Sequence, residues 1–394
     1  GPYSVFGDEA HFFGERWKDY VNSLGGIYVK EYDRKIPVQL IWYDDMSDPT
    51  KEVSNIERLA LVDKVHFIMC MEFGFGTTGQ IAAARHELFW IGHGGVSKDD
   101  DQYEFARTYD YIFDFHNHEA KNIVNIFKWA KNDGRPKTIF MLSEDSGGTL
   151  TMVEGSKKYP QLYGGLIPHC DEYGIKLVGY QKFTIGTKDF TDVILKAKAA
   201  NPDIVFSFWL PPDAVGCVKQ SRELGFQPGI WYGQKGIDLY SVTDPSYPYF
   251  EGFTVPLCIW NEDLPYMGME AKAFKDKFGY YPCIISASYV DCWPYLQQAI
   301  EYAGTITDKD KLKDAYYTVD FHSVVPRTSK PIPRGQPCAG YFEPLHIMCQ
   351  YQNKKRRTIF PPDQAKAKAW YPIPTWAEKF PPVGEYKPPP VEYP

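Results

Sequence analysis

Four short stretches of this chain carry residue types that could do chemistry. Asp145-Ser146-Gly147-Gly148 sets a serine in a glycine-rich loop. A serine nucleophile needs a histidine base held by a third group, yet Glu144 precedes this loop and no matching histidine motif accompanies it. His93-Gly94-Gly95 could offer backbone amides to an oxyanion, but no G-x-S-x-G elbow is present to use them. His116-Asn117-His118-Glu119 contains metal-ligand types at i, i+2 spacing, which more often face different ways. Gly76-Thr77-Thr78, just before a helical pattern, could grip a carboxylate with amides and hydroxyls, although an ordinary helix cap explains the same residues. Binding chemistry fits better than catalysis. We expect no catalytic residue, no resident metal and no cofactor, with a serine hydrolase as the distant alternative.

These loops need elements to hold them. Phe13, Trp17, Tyr20, Val21 and Leu24 recur at helical spacing, with Asp8 as the expected N-cap and Gly25-Gly26 as the stop. Val38 to Tyr43 reads as a strand, and an acidic loop ending in Asp48-Pro49 leads to a helix over 51–61. Apolar strands follow at 66–71, 88–91, 111–113, 138–142, 176–180, 203–208 and 229–232, with helical patterns between them. Apolar strands alternating with helices mean parallel sheets covered on both faces. Ligands in such sheets sit beyond the carboxyl ends of the strands, where the loops at 74–78 and 92–97 fall.

The chain has 394 residues, enough for two cores. Its net charge of −7 argues against nucleic acid. The dense basic run Lys354-Lys355-Arg356-Arg357 is explained by a solvated turn. No apolar run approaches the roughly 18 residues of a membrane span. Eight cysteines form no C-x-x-C pair, which speaks against a zinc ribbon. Cys338 and Cys349 could bridge neighbouring strands, whereas Cys217 and Cys283 read as buried thiols. Residues 360–394 hold 10 prolines, the composition of an irregular segment, and its aromatics suggest that it lies on the body of the protein.

Several motifs resemble the type I periplasmic substrate-binding proteins of ABC importers, typified by the leucine/isoleucine/valine-binding proteins. They are Gly1-Pro2-Tyr3-Ser4-Val5-Phe6-Gly7, the helix closed by Gly25-Gly26, Tyr43-Asp44-Asp45 with Asp48-Pro49, and Asp189-Phe190-Thr191 leading to Asn201-Pro202-Asp203. Glu251-Gly252-Phe253 and Ser288-Tyr289-Val290-Asp291 are further echoes. The resemblance spans roughly residues 1–350. It implies two doubly wound α/β lobes joined by a three-crossover hinge. Lobe one is expected at 1–119 and 253–323, and lobe two at 120–252 and 324–358. The hinges fall near Phe115-His116, Val255-Pro256 and Ser323, with 359–394 as an extension. In the family a short apolar strand precedes the Gly-Pro, so upstream residues are expected to complete the first sheet.

The resemblance also implies a ligand site. Tyr3, Phe6, Gly76, Thr77, Thr78, His93 and Gly94 fall on lobe one, and Ser146, Trp209 and Lys235 on lobe two. Two positions depart from the family pattern. Val96 stands where the family has threonine, and Lys235 where it has the acid that pairs with a ligand ammonium. A lysine repels an ammonium and attracts an anion. This points to an organic acid, aromatic given Phe6, Phe73, Phe75 and Trp209, unless Lys235 faces solvent. The implied role is a monomeric periplasmic or extracellular solute-binding protein that serves an ABC permease. The extension is the route to any oligomer, and a lipid anchor upstream is compatible. A sensory module of the same fold is the alternative.

Overall fold

The computed structural model describes residues 4–71, 78–93, 100–115, 123–145, 152–160, 164–209, 211–234, 250–255, 265–282, 287–322, 330–336, 339–340, 342 and 347–374. The chain groups into two compact units, Gly1–His118 with Ile285–Leu345 and Glu119–Ile284 with His346–Pro394, and so passes between them three times.

The first unit opens with helix α1 (Ser4–Ser23). Its buried stripe includes Phe6, Ala10, Phe13, Trp17 and Val21. The helix starts four residues before Asp8, which therefore lies inside it and is not its cap. Gly25 and Gly26 end the turn with φ of 93° and 101°. A side chain at Gly26 would strike the Ile36–Pro37 peptide, with Pro37 N at 2.7 Å, so glycine is required there on two counts. The hairpin β1 (Ile27–Val29) and β2 (Arg34–Ile36) follows. Helix α2 (Pro49–Leu61) is capped by Asp48, whose carboxylate accepts from Thr50 N at 2.8 Å.

Three parallel strands then form the sheet of this unit: β3 (Phe67–Met71), β4 (Phe89–His93) and β5 (Ile112–Asp114), in the order β3-β4-β5. Helix α3 (Thr78–Arg85) links β3 to β4, and α4 (Asp100–Thr108) links β4 to β5. One face of the sheet packs Ile68, Trp90 and Ile112 against Ile56, Ala82 and Ala83. The other packs Phe89, Ile91 and Phe113 against α1 and against α10 (Ala287–Ala303) and α11 (Lys309–Thr318), through Trp17, Trp293, Leu296 and Tyr316. Residues 38–43, read as a strand, carry no regular secondary structure and belong to no sheet. A strand needs a hydrogen-bonded neighbour, and none lies beside this stretch among the described residues.

The second unit holds a seven-stranded sheet in the order β12-β11-β10-β9-β8-β6-β7. The parallel part comprises β6 (Thr138–Glu144), β7 (Lys176–Phe183), β8 (Ile204–Phe208), β9 (Ile230–Gln234) and β10 (Thr254–Val255). Strands β11 (Met348–Gln352) and β12 (Lys355–Phe360) add an antiparallel edge. The sheet is joined by α5 (Val124–Asp133), α6 (Leu166–Tyr173), α7 (Thr191–Ala200), α8 (Pro211–Glu223) and α9 (Pro265–Phe278). Sequence reasoning puts the second crossing near Val255-Pro256; β10 is paired with β9 and β11 in this sheet, and the grouping runs on to Ile284.

The basic run at 354–357 is not a solvated turn throughout. Lys354 turns with φ 63°, but Arg356 is buried in β12, its guanidinium 5.7 Å from the Tyr281 ring and 6.0 Å from Tyr351. Of the cysteines discussed above, Cys217 is fully buried, Cys349 Sγ lies 3.8 Å from Thr358 Oγ1, and Cys283 and Cys338 lie outside the described residues. The segment 361–374 lies on the second unit, where Ile373 N donates to Gly229 O at 2.8 Å and the Tyr371 hydroxyl to Asp203 at 3.1 Å.

Candidate functional site

Parallel strands present their carboxyl ends along one edge, and the loops leaving that edge can converge on a ligand. In the first unit β3 ends at Met71, β4 at His93 and β5 at Asp114. Helices α1 and α3 start at Ser4 and Thr78, next in the chain to the loops singled out from sequence. In the second unit β6 ends at Glu144, β8 at Phe208 and β9 at Gln234. Ser146, Trp209 and Lys235 follow these three ends by two, one and one residues, as the sequence rows give them.

The described residues fix part of the expected set. Phe6 is buried in the first turn of α1, so its ring is a packing ring of the first unit. Thr78 is half-buried as the first residue of α3. His93 closes β4, in register with Met71. Trp209 is fully buried, its ring 6.1 Å from Trp231 and 6.4 Å from Phe183. Its indole N–H has no acceptor among the described residues. Tyr3, Gly76, Thr77, Gly94, Ser146 and Lys235, together with Val96, lie outside the described residues.

One polar residue was missed. Gln80, in the first turn of α3, is fully buried, and neither atom of its amide has a hydrogen-bond partner among the described residues. Leaving such a group unmet costs about 1–3 kcal/mol, so Gln80 has a donor and an acceptor to spend at the start of α3. Its neighbour Gly79 lets α3 approach Trp90 closely: a Cβ at Gly79 would lie 2.7 Å from Trp90 Cη2. The sequence signal was a polar residue on the buried stripe next to Ala82 and Ala83, visible only once that stripe is placed.

At its opposite, amino-terminal edge the second sheet is tied down by Asp203. Its Oδ2 accepts from Lys137 N at 2.8 Å, Thr138 N at 2.9 Å and Thr138 Oγ1 at 2.9 Å, and Oδ1 accepts from Tyr371. Burial alone would raise this carboxyl, but the hydrogen bonds from Lys137, Thr138 and Tyr371 outweigh it and hold the group below the ordinary carboxylate range. Asn201, in the left-handed conformation with φ 44°, turns the chain from α7 toward Asp203. Asp203 thus positions the strands whose other ends form the candidate site. Among the described residues no cluster of three His, Cys, Asp or Glu could hold a metal.

A model described as periplasmic binding protein matches residues 1–337, and the chain belongs to this family. It is 23% identical over 254 residues to the Leu/Ile/Val-binding protein homolog 1 of Brucella melitensis, an alignment that covers 62% of each chain and so less than two thirds of that relative. Among solved structures it is similar to a solute binding protein of an ABC transporter from Rhodopseudomonas palustris in complex with 3,4-dihydroxybenzoic acid. That likeness has a TM-score of 0.67 at 18% identity and covers 95% of this chain and 96% of the other. It is also similar to a branched-chain amino acid transporter substrate binding protein from Streptococcus pneumoniae in complex with isoleucine. Here the TM-score is 0.67 at 16% identity, over 90% of this chain and 94% of the other. These likenesses show the fold, a two-lobed type I binding protein of mixed α/β structure with mainly parallel sheets, as expected. The role that goes with the family is extracytoplasmic solute binding. Among the described residues no helix is long and apolar enough to cross a membrane.

Proposed function

We propose that this protein captures a small organic acid, aromatic in character, between its two lobes and delivers it to an ABC permease. The observation that carries the ligand class is Lys235. It directly follows Gln234, the last residue of β9, in the loop where the family resemblance puts the acid that pairs with an amino-acid ammonium. A cation there favours a carboxylate ligand and disfavours an α-ammonium. Trp209, one residue past β8, would add an apolar ring with a free N–H, and Gln80 in α3 an unspent amide, for such a ligand. The neighbour holding 3,4-dihydroxybenzoic acid shows that this fold accepts that ligand class; the neighbour holding isoleucine shows that it also accepts amino acids. Closure of the lobes would remove the ligand from water and change the surface seen by the permease, so no catalytic step is needed. Lys235→Glu tests the assignment. An aromatic carboxylate should bind at least about 10-fold more weakly to this variant, a loss of about 1.4 kcal/mol. Unchanged affinity would leave Lys235 a surface residue and remove the argument for an anion.

A further inference from the structure

Ligand capture leaves the dense basic run of the sequence without a task. Residues 348–374 carry six lysines and arginines and one acid, Asp363, in a chain that overall has 43 basic and 50 acidic residues. Arg356 is turned inward onto Tyr281 and Tyr351, so five cations remain: Lys354, Lys355, Arg357, Lys366 and Lys368. The four lysines are exposed and Arg357 is half-buried. Lys355, Lys366 and Lys368 take part in no ion pair among the described residues.

The fold gathers these cations on one face of the second unit. In the hairpin of β11 and β12, Gln350 lies opposite Arg357 and Gln352 opposite Lys355, and residues directly opposite in an antiparallel pair share a face. The segment 366–370 lies across that face. Gln352 Nε2 donates to Lys368 O at 2.8 Å, Arg357 Nη2 to Lys366 O at 2.9 Å, and Trp370 N to Gln350 Oε1 at 2.8 Å. Ala365 and Ala367 are buried, and the two-residue period of an extended chain turns Lys366 and Lys368 outward. Lys354 stands at the hairpin tip, with φ 63°. Residues two apart on an extended chain are separated by about 7 Å, within the screening length of about 8 Å at physiological salt. The cations therefore act on a partner as one positive surface.

We propose that this face docks on an anionic lipid surface, one rich in phosphatidylglycerol headgroups. Four of the five cations are lysines, point charges on flexible stems without the fixed fork of arginine. Exposed along a strand and the segment over it, they suit many mobile headgroups better than one carboxylate held in a single geometry. Trp370, half-buried at the end of the same segment, is of a residue type that settles at headgroup depth. A basic residue near an anionic membrane strengthens binding roughly fivefold, while acids elsewhere on a chain of net charge −7 act weakly beyond a screening length. The contact would hold the protein beside the membrane. It needs no ligand, so it stands or falls apart from the ligand assignment.

The test is co-sedimentation of the 394-residue chain, without ligand, with vesicles of phosphatidylcholine alone and with vesicles one-third phosphatidylglycerol. At low salt the anionic vesicles should bind it at least about 20-fold more tightly, and about 0.5 M salt should abolish the difference. The combined variant Lys355→Glu, Lys366→Glu, Lys368→Glu should lose at least about 30-fold. The control Lys157→Glu, Lys272→Glu, Lys311→Glu changes net charge equally at exposed lysines elsewhere and should lose less than about threefold. Circular dichroism checks folding; if the first variant fails to fold, glutamine at the same three positions should lose at least about 10-fold. The proposal falls if the two kinds of vesicle bind alike, or if the control loses as much as the patch variant. It also falls if the chain ignores vesicles but binds a polyglutamate peptide through these lysines, since the face would then belong to an acidic protein partner.

Discussion

Replacing Asp203 with alanine should unlatch the second unit's sheet at its amino-terminal edge. The carboxylate accepts from two backbone amides, one hydroxyl and the Tyr371 phenol at 2.8–3.1 Å. A hydrogen bond to a charged group contributes about 1.5–3 kcal/mol when isolated. Asp203 is only half-buried, so water can replace part of this set after the substitution. The net loss should be about 2–4 kcal/mol, well below the sum of four separate bonds. In urea, at about 2 kcal/mol per molar, the midpoint of the second unit falls by about 1–2 M. Asp203→Asn keeps one oxygen as acceptor and should lose about half as much. Intrinsic fluorescence suits the assay, because Trp129 lies 5.5 Å from Tyr371 and reports the docking of the segment 361–374. A midpoint for Asp203→Ala within about 0.2 M of wild type would refute the latch.

Three further outcomes follow from the same contacts. The folded-state carboxyl of Asp203 is held low, so its stabilisation is present above the unfolded pKa of about 3.9 and is lost as pH falls through the lowered folded value; urea midpoints below about pH 4 should fall more steeply for wild type than for Asp203→Asn, and equal slopes would contradict this. Gly79→Ala forces a methyl against Trp90, an overpacking loss of about 1–3 kcal/mol that calorimetry should show as a fall of about 3–10 °C in the melting of the first unit. Burial pushes the Cys170 thiol up to about 12 and raises Cys217 further, so peptide mapping after iodoacetamide treatment at pH 8 should find both unmodified until urea unfolds the protein.

The parallel strands were legible because both faces are covered: Ile204-Val205-Phe206 and Thr138 to Leu142 are near-continuous apolar runs at the predicted places. The stretch 38–43 carries the same signal without becoming sheet, since pattern reports a face and cannot report which strand will pair with it. The start of α1 was misplaced because Asp8 offers a capping side chain, while the helix runs back to Ser4 with Phe6 already on its buried stripe. Arg356 looked like part of a solvated run, but strand alternation turns it inward onto Tyr281 and Tyr351. The candidate site was legible as loops after strand ends, which follow from chain order. Gln80 was not, because its burial follows only once α3 is packed against α2 and β4. Asp203 read as part of a turn, and its link to Tyr371 spans 168 positions that no local pattern connects.

The central claim is the sign of the ligand's charge. Calorimetric titration of the protein, freed of any co-purified ligand by reversible unfolding, with 3,4-dihydroxybenzoate and separately with leucine tests it most directly. The account predicts micromolar or tighter binding of the aromatic carboxylate, about −8 kcal/mol or better, and at least about 100-fold weaker binding of leucine. Tight binding of leucine with none of the aromatic acid would contradict it.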